Sequence, residues 1–320
     1  MPSEYHGCSE EAITKLSQVS SLNRSAVTAV VYFLYVGAQI LPVSDRMKVL
    51  DDKSASWGLT RTEETVRDTL SKLASTLRKV DWMSRSILEH ESNSLEPYML
   101  STVRGAIDTV PCCYGWGSEH SYQPKYAANV TKFAITVTNT GFVVQVSEGY
   151  CGSVHDQTIL SAAGFASQWA PNDVWLCDGI FADSRNTVTP DGRPQLFPKH
   201  PKPGHNLHEL LKRNEMHAHF RSRVEHTFSG VMFNRFRCFS RWQRSHTMLN
   251  DAVVVACGVL NYEALLAHGV QGRYKPISQY SEAEHKELAD KFERHKNMSS
   301  RYPEEKKNKS KRARKEEQKL

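Results

Sequence analysis

Long apolar runs are missing from this chain of 320 residues. The longest, Ala26 to Leu41, holds about sixteen residues and is broken by Thr28 and Gln39. A membrane span needs about twenty, so this run reads as a buried helix and no membrane is expected. The first twenty residues show no apolar core of a secretion signal. Cysteine is scarce, with seven in all. They stand at 8, 112, 113, 151, 177, 238 and 257, and form no C-x-x-C pair. That pattern excludes a zinc ribbon or dithiol redox motif and points to free thiols in a reducing compartment. The histidines show no tight ligand spacing either. Gly (17) and Pro (13) are too few for a collagen-like chain. The body also lacks surplus charge. Net charge is +6, but residues 301–320 alone hold nine Lys/Arg against four Glu. The basic balance is therefore largely that of a tail.

What is present divides the chain into segments. Residues 1–24 are polar and read as a flexible N-terminus. Residues 25–82 read as helical, and 83–101 as a connector. Within 25–82, Ser25 to Leu41 predicts a helix, Ser44 to Lys53 a second, and Trp57-Gly58-Leu59 a turn. Thr60-x-x-Glu63 is then a capping box. Val66, Leu70, Leu73 and Leu77 follow on one helical face. The pattern is helix-turn-helix-like, or an ordinary helical hairpin.

From 102 the periodicity changes to that of strands. Thr102 to Asp108 predicts a strand, as do Lys132 to Thr138 and Phe142 to Ser147, joined at Asn139-Thr140-Gly141. Gly152 to Leu160 opens a helix, and Asp173 to Cys177 is a short strand. Residues 183–214 read as a loop-rich insertion. Phe220 to Phe236 and Leu249 to Ala267 read as helices. A polar helix from Ser281-x-x-Glu284 and a basic tail fill 269–320. The fold class is α/β with a mixed sheet.

Three acids take special places. Asp108 ends the first strand, Asp178 ends a later one, and Glu225 lies in a helix. Acids at the carboxyl ends of neighbouring strands project into one crevice. Like charges a few ångströms apart need a counter-charge, and oxygen-only donors suit Mg²⁺ or Mn²⁺. Such ions promote in-line phosphodiester cleavage. Taken alone, each acid could equally cap a helix or face solvent.

Five short motifs, in order, resemble the DDE superfamily endonucleases, specifically the Harbinger-type transposases. They are Gly105-Ala106-Ile107-Asp108, Gly152-Ser153-Val154-His155-Asp156, Asp178-Gly179-Ile180-Phe181 with Thr189-Pro190, Arg221-x-x-x-Glu225-x-x-Phe228-x-Gly230, and Asn261 after an apolar helix. The resemblance covers about residues 104–267. It implies a ribonuclease-H-like catalytic domain over 102–268, preceded by a helix-turn-helix-like region. It implies catalytic and metal-holding roles for Asp108, Asp178 and Glu225, with Mg²⁺ or Mn²⁺ as cofactor. Asp156 is either a helix N-cap or a fourth carboxylate at the metals. The chain departs from the family at Thr109 (Gly), Phe181 (Tyr) and Phe233 (Lys).

Lys125, Tyr126, Asn129 and Lys132 precede the hairpin, where that family is basic, and read either as DNA phosphate contacts or as a solvated loop. Arg221 stands one turn before Glu225, to hold phosphate or pair with an acid. Arg235 and Arg237 mix with Phe236, Phe239 and Trp242, which suits nucleic acid or a core helix end. Lys306 to Lys319 reads as a nuclear-localisation or DNA-contact tail. The function expected is metal-dependent DNA cleavage in the nucleus. A Myb-like DNA-binding protein is the partner the resemblance implies, and homo-oligomers are open. The alternative is a domesticated, catalytically silent DNA-binding or scaffold protein.

Overall fold

A computed structural model describes residues 8–36, 63–84, 87, 103–113, 121–170, 173–178, 196–198, 219–228, 235–240, 242, 244–269, 272–274, 281–284, 286–287 and 290. The second helix and turn of the helix-turn-helix pattern (44–59), Phe181, Thr189-Pro190, Phe233 and the basic tail lie outside these residues. The chain divides into a large unit, Met1–Lys275, and a small one, Pro276–Leu320. In the small unit Ser281 Oγ accepts from the Glu284 amide, while Glu284 accepts back from the Ser281 N–H at 2.7 Å. That is a capping box, as its sequence predicts.

The described part of the N-terminal segment, from residue 8, is largely helical. Helix α1 (Glu10–Ser20) starts at Ser9, whose hydroxyl accepts from the Ala12 N–H. It buries Ala12, Ile13 and Leu16. Apart from Val19, polar residues fill the rest of the helix, so the sequence looks hydrophilic although one face is apolar. Helix α2 (Arg24–Val36) and helix α3 (Glu63–Leu77) follow. In α3 the stripe Val66, Leu70, Leu73 and Leu77 is buried, as its spacing predicts.

The sheet is mixed. Strand β1 (Val103–Cys113) pairs antiparallel with β3 (Ala128–Thr138). β2 (Tyr122–Gln123), β4 (Val143–Val146) and β5 (Tyr150–Cys151) also pair antiparallel with β3. On the other side β6 (Val174–Cys177) runs parallel to β1, and β7 (Leu196–Pro198) parallel to β6. β7 lies inside 183–214, so that segment is not all loop. The path is β2-β3-β1-β6-β7. β1 runs past Asp108 through Pro111. Its partner β6 ends at Cys177, so Pro111 lies beyond the β6 pairing, where a missing N–H costs the ladder little.

Gly105 is required by close approach: a Cβ there would collide with the backbone of Val137 on β3. Helix α4 (Asp156–Ala163) covers the sheet, capped by the His155 ring, which accepts from the Gln157 N–H. Asp156 is thus the first helical residue and not the cap. Gly152, just before, faces the Ser121 carbonyl so closely that a side chain would clash. Residues 219–228 are helical.

The last long helix, α5 (His246–His268), lies in the core. It is long and apolar enough to cross a membrane by composition, but most of it is buried against protein. α1 and α3 pack on it. Asn261 lies within the helix rather than after it. Its side chain donates to the Val143 carbonyl at 2.6 Å and accepts from the Val143 N–H at 2.9 Å, clasping the helix to β4. Beneath the sheet, Trp169 and Trp175 stack at 5.7 Å among Ile107, Ile159 and Phe165.

Candidate active site

Parallel pairing brings the first two acids level. Ala106 on β1 is in register with Leu176 on β6. Continuing that register by two residues sets Asp108 beside Asp178. The helix at 219–228 packs Phe220, Val224 and Phe228 inward and leaves Arg221 and Glu225 toward the same place. Four residues is about one turn, so those two share a face. The result is an open cleft of about 710 Å³ lined by Asp108, Asp178 and Glu225, with Asp156, Lys125, Lys132 and Arg221. Segments of the chain distant in sequence meet there.

The electrostatics are uneven. Asp108 accepts from the Thr109 N–H at 2.8 Å. The Arg221 guanidinium lies between acids, with Nη1 3.3 Å from Asp108 and Nη2 2.7 Å from Glu225. Burial nevertheless pushes the Asp108 carboxyl up to about 6, and the negative charges of Glu225 and Asp178 add to that; the Thr109 N–H and Arg221 oppose it. Burial pushes the neighbouring Cys177 thiol up to about 12, with help from Asp178, so it stays protonated.

Lys132, expected to meet DNA, is turned inward. It is buried on β3, and its ammonium donates to Asp156 at 2.9 Å and to the Val154 carbonyl at 2.6 Å. Asp156 is therefore already neutralised by a cation of the chain. Lys125 stays exposed at the rim. The neighbouring Tyr126 side chain pushes the Lys125 pKa up, with smaller help from Asp108 and Asp156.

Arg235 and Arg237 do not line the cleft. Arg235 forms a two-pronged ion pair with Glu263 of α5. Phe236, Phe239 and Trp242 are fully buried, so the aromatic side chains of this stretch belong to the core. Arg237 is exposed. Gln123 and Phe228 line the cleft without having been singled out as site residues. Gln123 had no signal beyond its place two residues before Lys125, and Phe228 stood in the Glu225 motif.

The donor set of the three acids is all oxygen, which fits a hard divalent cation. As placed, Arg221 supplies the positive charge. Among the described residues no three His, Cys, Asp or Glu side chains stand close enough together to hold a metal ion.

No curated protein and no solved structure matches this chain. Asp178, Arg221 and Glu225 all fall, with Asp108 just outside, in a segment a little under half of the chain: residues 115–261 match the family model of the DDE superfamily endonucleases.

Proposed function

We propose that the chain is a metal-dependent DNA endonuclease of transposase type, in which Asp108, Asp178 and Glu225 form the D-D-E triad. The observation that carries this reading is the meeting of these three acids in one cleft from three separate segments. The endonuclease family match supports phosphodiester cleavage and DNA as substrate. The strand order, antiparallel on one side of β1 and parallel on the other, supports a ribonuclease-H-like catalytic domain. The motif order supports the Harbinger-type branch.

Asp108, Asp178 and Glu225 would hold Mg²⁺ or Mn²⁺, two ions in the full arrangement, and Lys132 keeps Asp156 out of that set. Bound divalent ions supply activation of the attacking water and stabilisation of the leaving 3′-oxygen. The chain's own groups do the rest. Asp108 must give up its proton, which its raised pKa resists below about 6. Arg221 leaves its two acids and turns to the phosphate oxygens, where its planar fork can bind in two places. Lys125 holds the strand at the rim.

The test is plasmid cleavage with Mg²⁺, Mn²⁺ or EDTA. Metal-dependent nicking by the wild type that disappears in Asp178→Asn, with an unchanged melt, is the expected result. Full cleavage by the folded variant would sink the assignment. The second reading, a transposase-derived DNA binder that no longer cuts, draws on Arg221 engaging two of the three acids. A folded wild type that binds DNA but takes up no divalent ion by calorimetry would favour it.

The same proposal carries a nuclear location through the tail and a Myb-like partner. A tagged chain lacking 306–319 should leave the nucleus, and a pull-down from nuclear extract should recover such a partner. Retained nuclear signal, or recovery of none, removes that element.

A further inference from the structure

The rim of the cleft carries a feature that the triad does not use. Among the described residues, three large hydrophobic side chains are exposed, and two of them, Tyr122 and Tyr126, stand on one short arm. Tyr122 is 47% and Tyr126 39% exposed. The arm is β2 followed by a single 3₁₀ turn, Pro124–Tyr126. It is a built element. Tyr122 and Gln123 pair with Asn129 and Ala128 of β3, and Ser121 Oγ donates to Asn129 Oδ1 at 3.0 Å. Pro124 presets the turn. Gln123, Lys125 and Tyr126 line the same cleft as the three acids. The Lys125 ammonium lies 5.3 Å from the Tyr126 ring centroid.

An exposed ring beside an ammonium matches two parts of one nucleotide. The ring offers a flat face to a base, and the ammonium a charge to its phosphate. A duplex hides its base faces in the stack. Only an unpaired or extruded base can reach such a ring. We propose that Tyr126 is a stacking platform for an unpaired nucleobase and Lys125 the contact for its phosphate. The cleft then prefers DNA opened next to the bond it cuts. Tyr122 offers a second ring on the same arm. This inference rests on the nuclease reading of the same cleft.

The experiment uses the full chain in EDTA, so that binding is read without cleavage. The probes are a fully paired oligonucleotide duplex and the same duplex with a short single-stranded gap carrying 2-aminopurine. Anisotropy reports affinity, and 2-aminopurine quenching reports stacking. The wild type should bind the gapped DNA about tenfold more tightly than the duplex and quench the probe. Tyr126→Ala should lose both the preference and the quenching, with duplex affinity nearly unchanged. Tyr126→Phe, which keeps the ring, should keep both. Lys125→Gln should weaken binding to both DNAs and lower the salt slope by about one. Equal affinity of the wild type for the two DNAs, or an undiminished preference in folded Tyr126→Ala, overturns the platform. Neither outcome touches metal-dependent cleavage, measured separately with Asp178→Asn. Conversely, an intact gap preference without any metal-dependent cutting removes the nuclease reading and leaves the platform standing.

Discussion

Asp173, just before β6, and Asp108, within the neighbouring strand β1, are treated in opposite ways. Asp173 is almost wholly buried. It accepts from Arg104 Nε at 2.8 Å and from the Ala170 N–H at 2.9 Å. Asp108 faces the cleft. It accepts from the N–H of the next residue and meets Arg221 only at 3.3 Å, with two further acids near. The first acid is matched by a cation within the frame. The second pays a desolvation cost that the chain offsets only in part, so its carboxyl is pushed up to about 6. Framework acids are complete within the fold, while a site acid keeps capacity for something from outside. Asp156 lines the cleft but belongs to the framework class, since Lys132 already neutralises it.

The sharpest way to break this contrast is Glu225→Gln. Nicking should fall by about a hundred- to a thousandfold, as expected for loss of charge at an acid of the proposed triad, while the melting temperature changes little. Substantial residual cutting would place Glu225 in the frame instead. Arg104→Met makes the opposite test. It leaves the Asp173 charge buried without its cation and should cost about 3–5 kcal/mol in chemical denaturation. A cost well under 1 kcal/mol would mean that Asp173 is not held as described.

Asp108→Asn probes the unmet cost itself. A carboxyl raised from 3.8 to about 6 favours the protonated fold. Its contribution to stability is complete below pH 3.8 and is lost as pH rises through about 6. The amide cannot ionise, so the variant should gain on the wild type across that window, by about 3 kcal/mol at most. Melts at pH 4.5 and 7.5 check this, and a gap that does not widen with pH contradicts it. The smallest effects concern two arginines a residue apart. Arg235→Gln breaks the Glu263 pair and should cost about 2 kcal/mol. Arg237→Gln, at an exposed position, should stay within about 0.5 kcal/mol. Equal losses in thermal melts would erase the distinction between them.

Much of the frame was legible. The hairpin around 139–141, the apolar stripe of α3 and the long helix α5 announce themselves by periodicities of two and 3.6, which reside in neighbouring residues. Asp178 was legible as a strand-end position and Glu225 as a helical one, whereas Asp108, expected to end its strand, lies inside β1, which runs on to Cys113. Other features were hidden for identifiable reasons. Helix α1 is 11 residues long, too short to declare itself alone, and forms by burying three apolar side chains against α5 and its neighbours. Lys132 carries the same charge as Lys125 in the sequence. Only strand pairing shows that one is buried on β3 and the other exposed on the arm. Arg235 and Arg237 likewise differ by which face meets the core.

The amino-acid sequence by itself determined the residue types, the local periodicities and the presence of three acids in order. The tertiary structure alone decided that Asp108 stands level with Asp178, that Arg221 lies between two acids, that Lys132 is committed to Asp156 and that Tyr126 faces outward. The physical reason is range. Periodicity and capping are settled within a few residues, whereas strand register, burial and the sharing of counter-charges depend on groups that meet only when distant segments pack together.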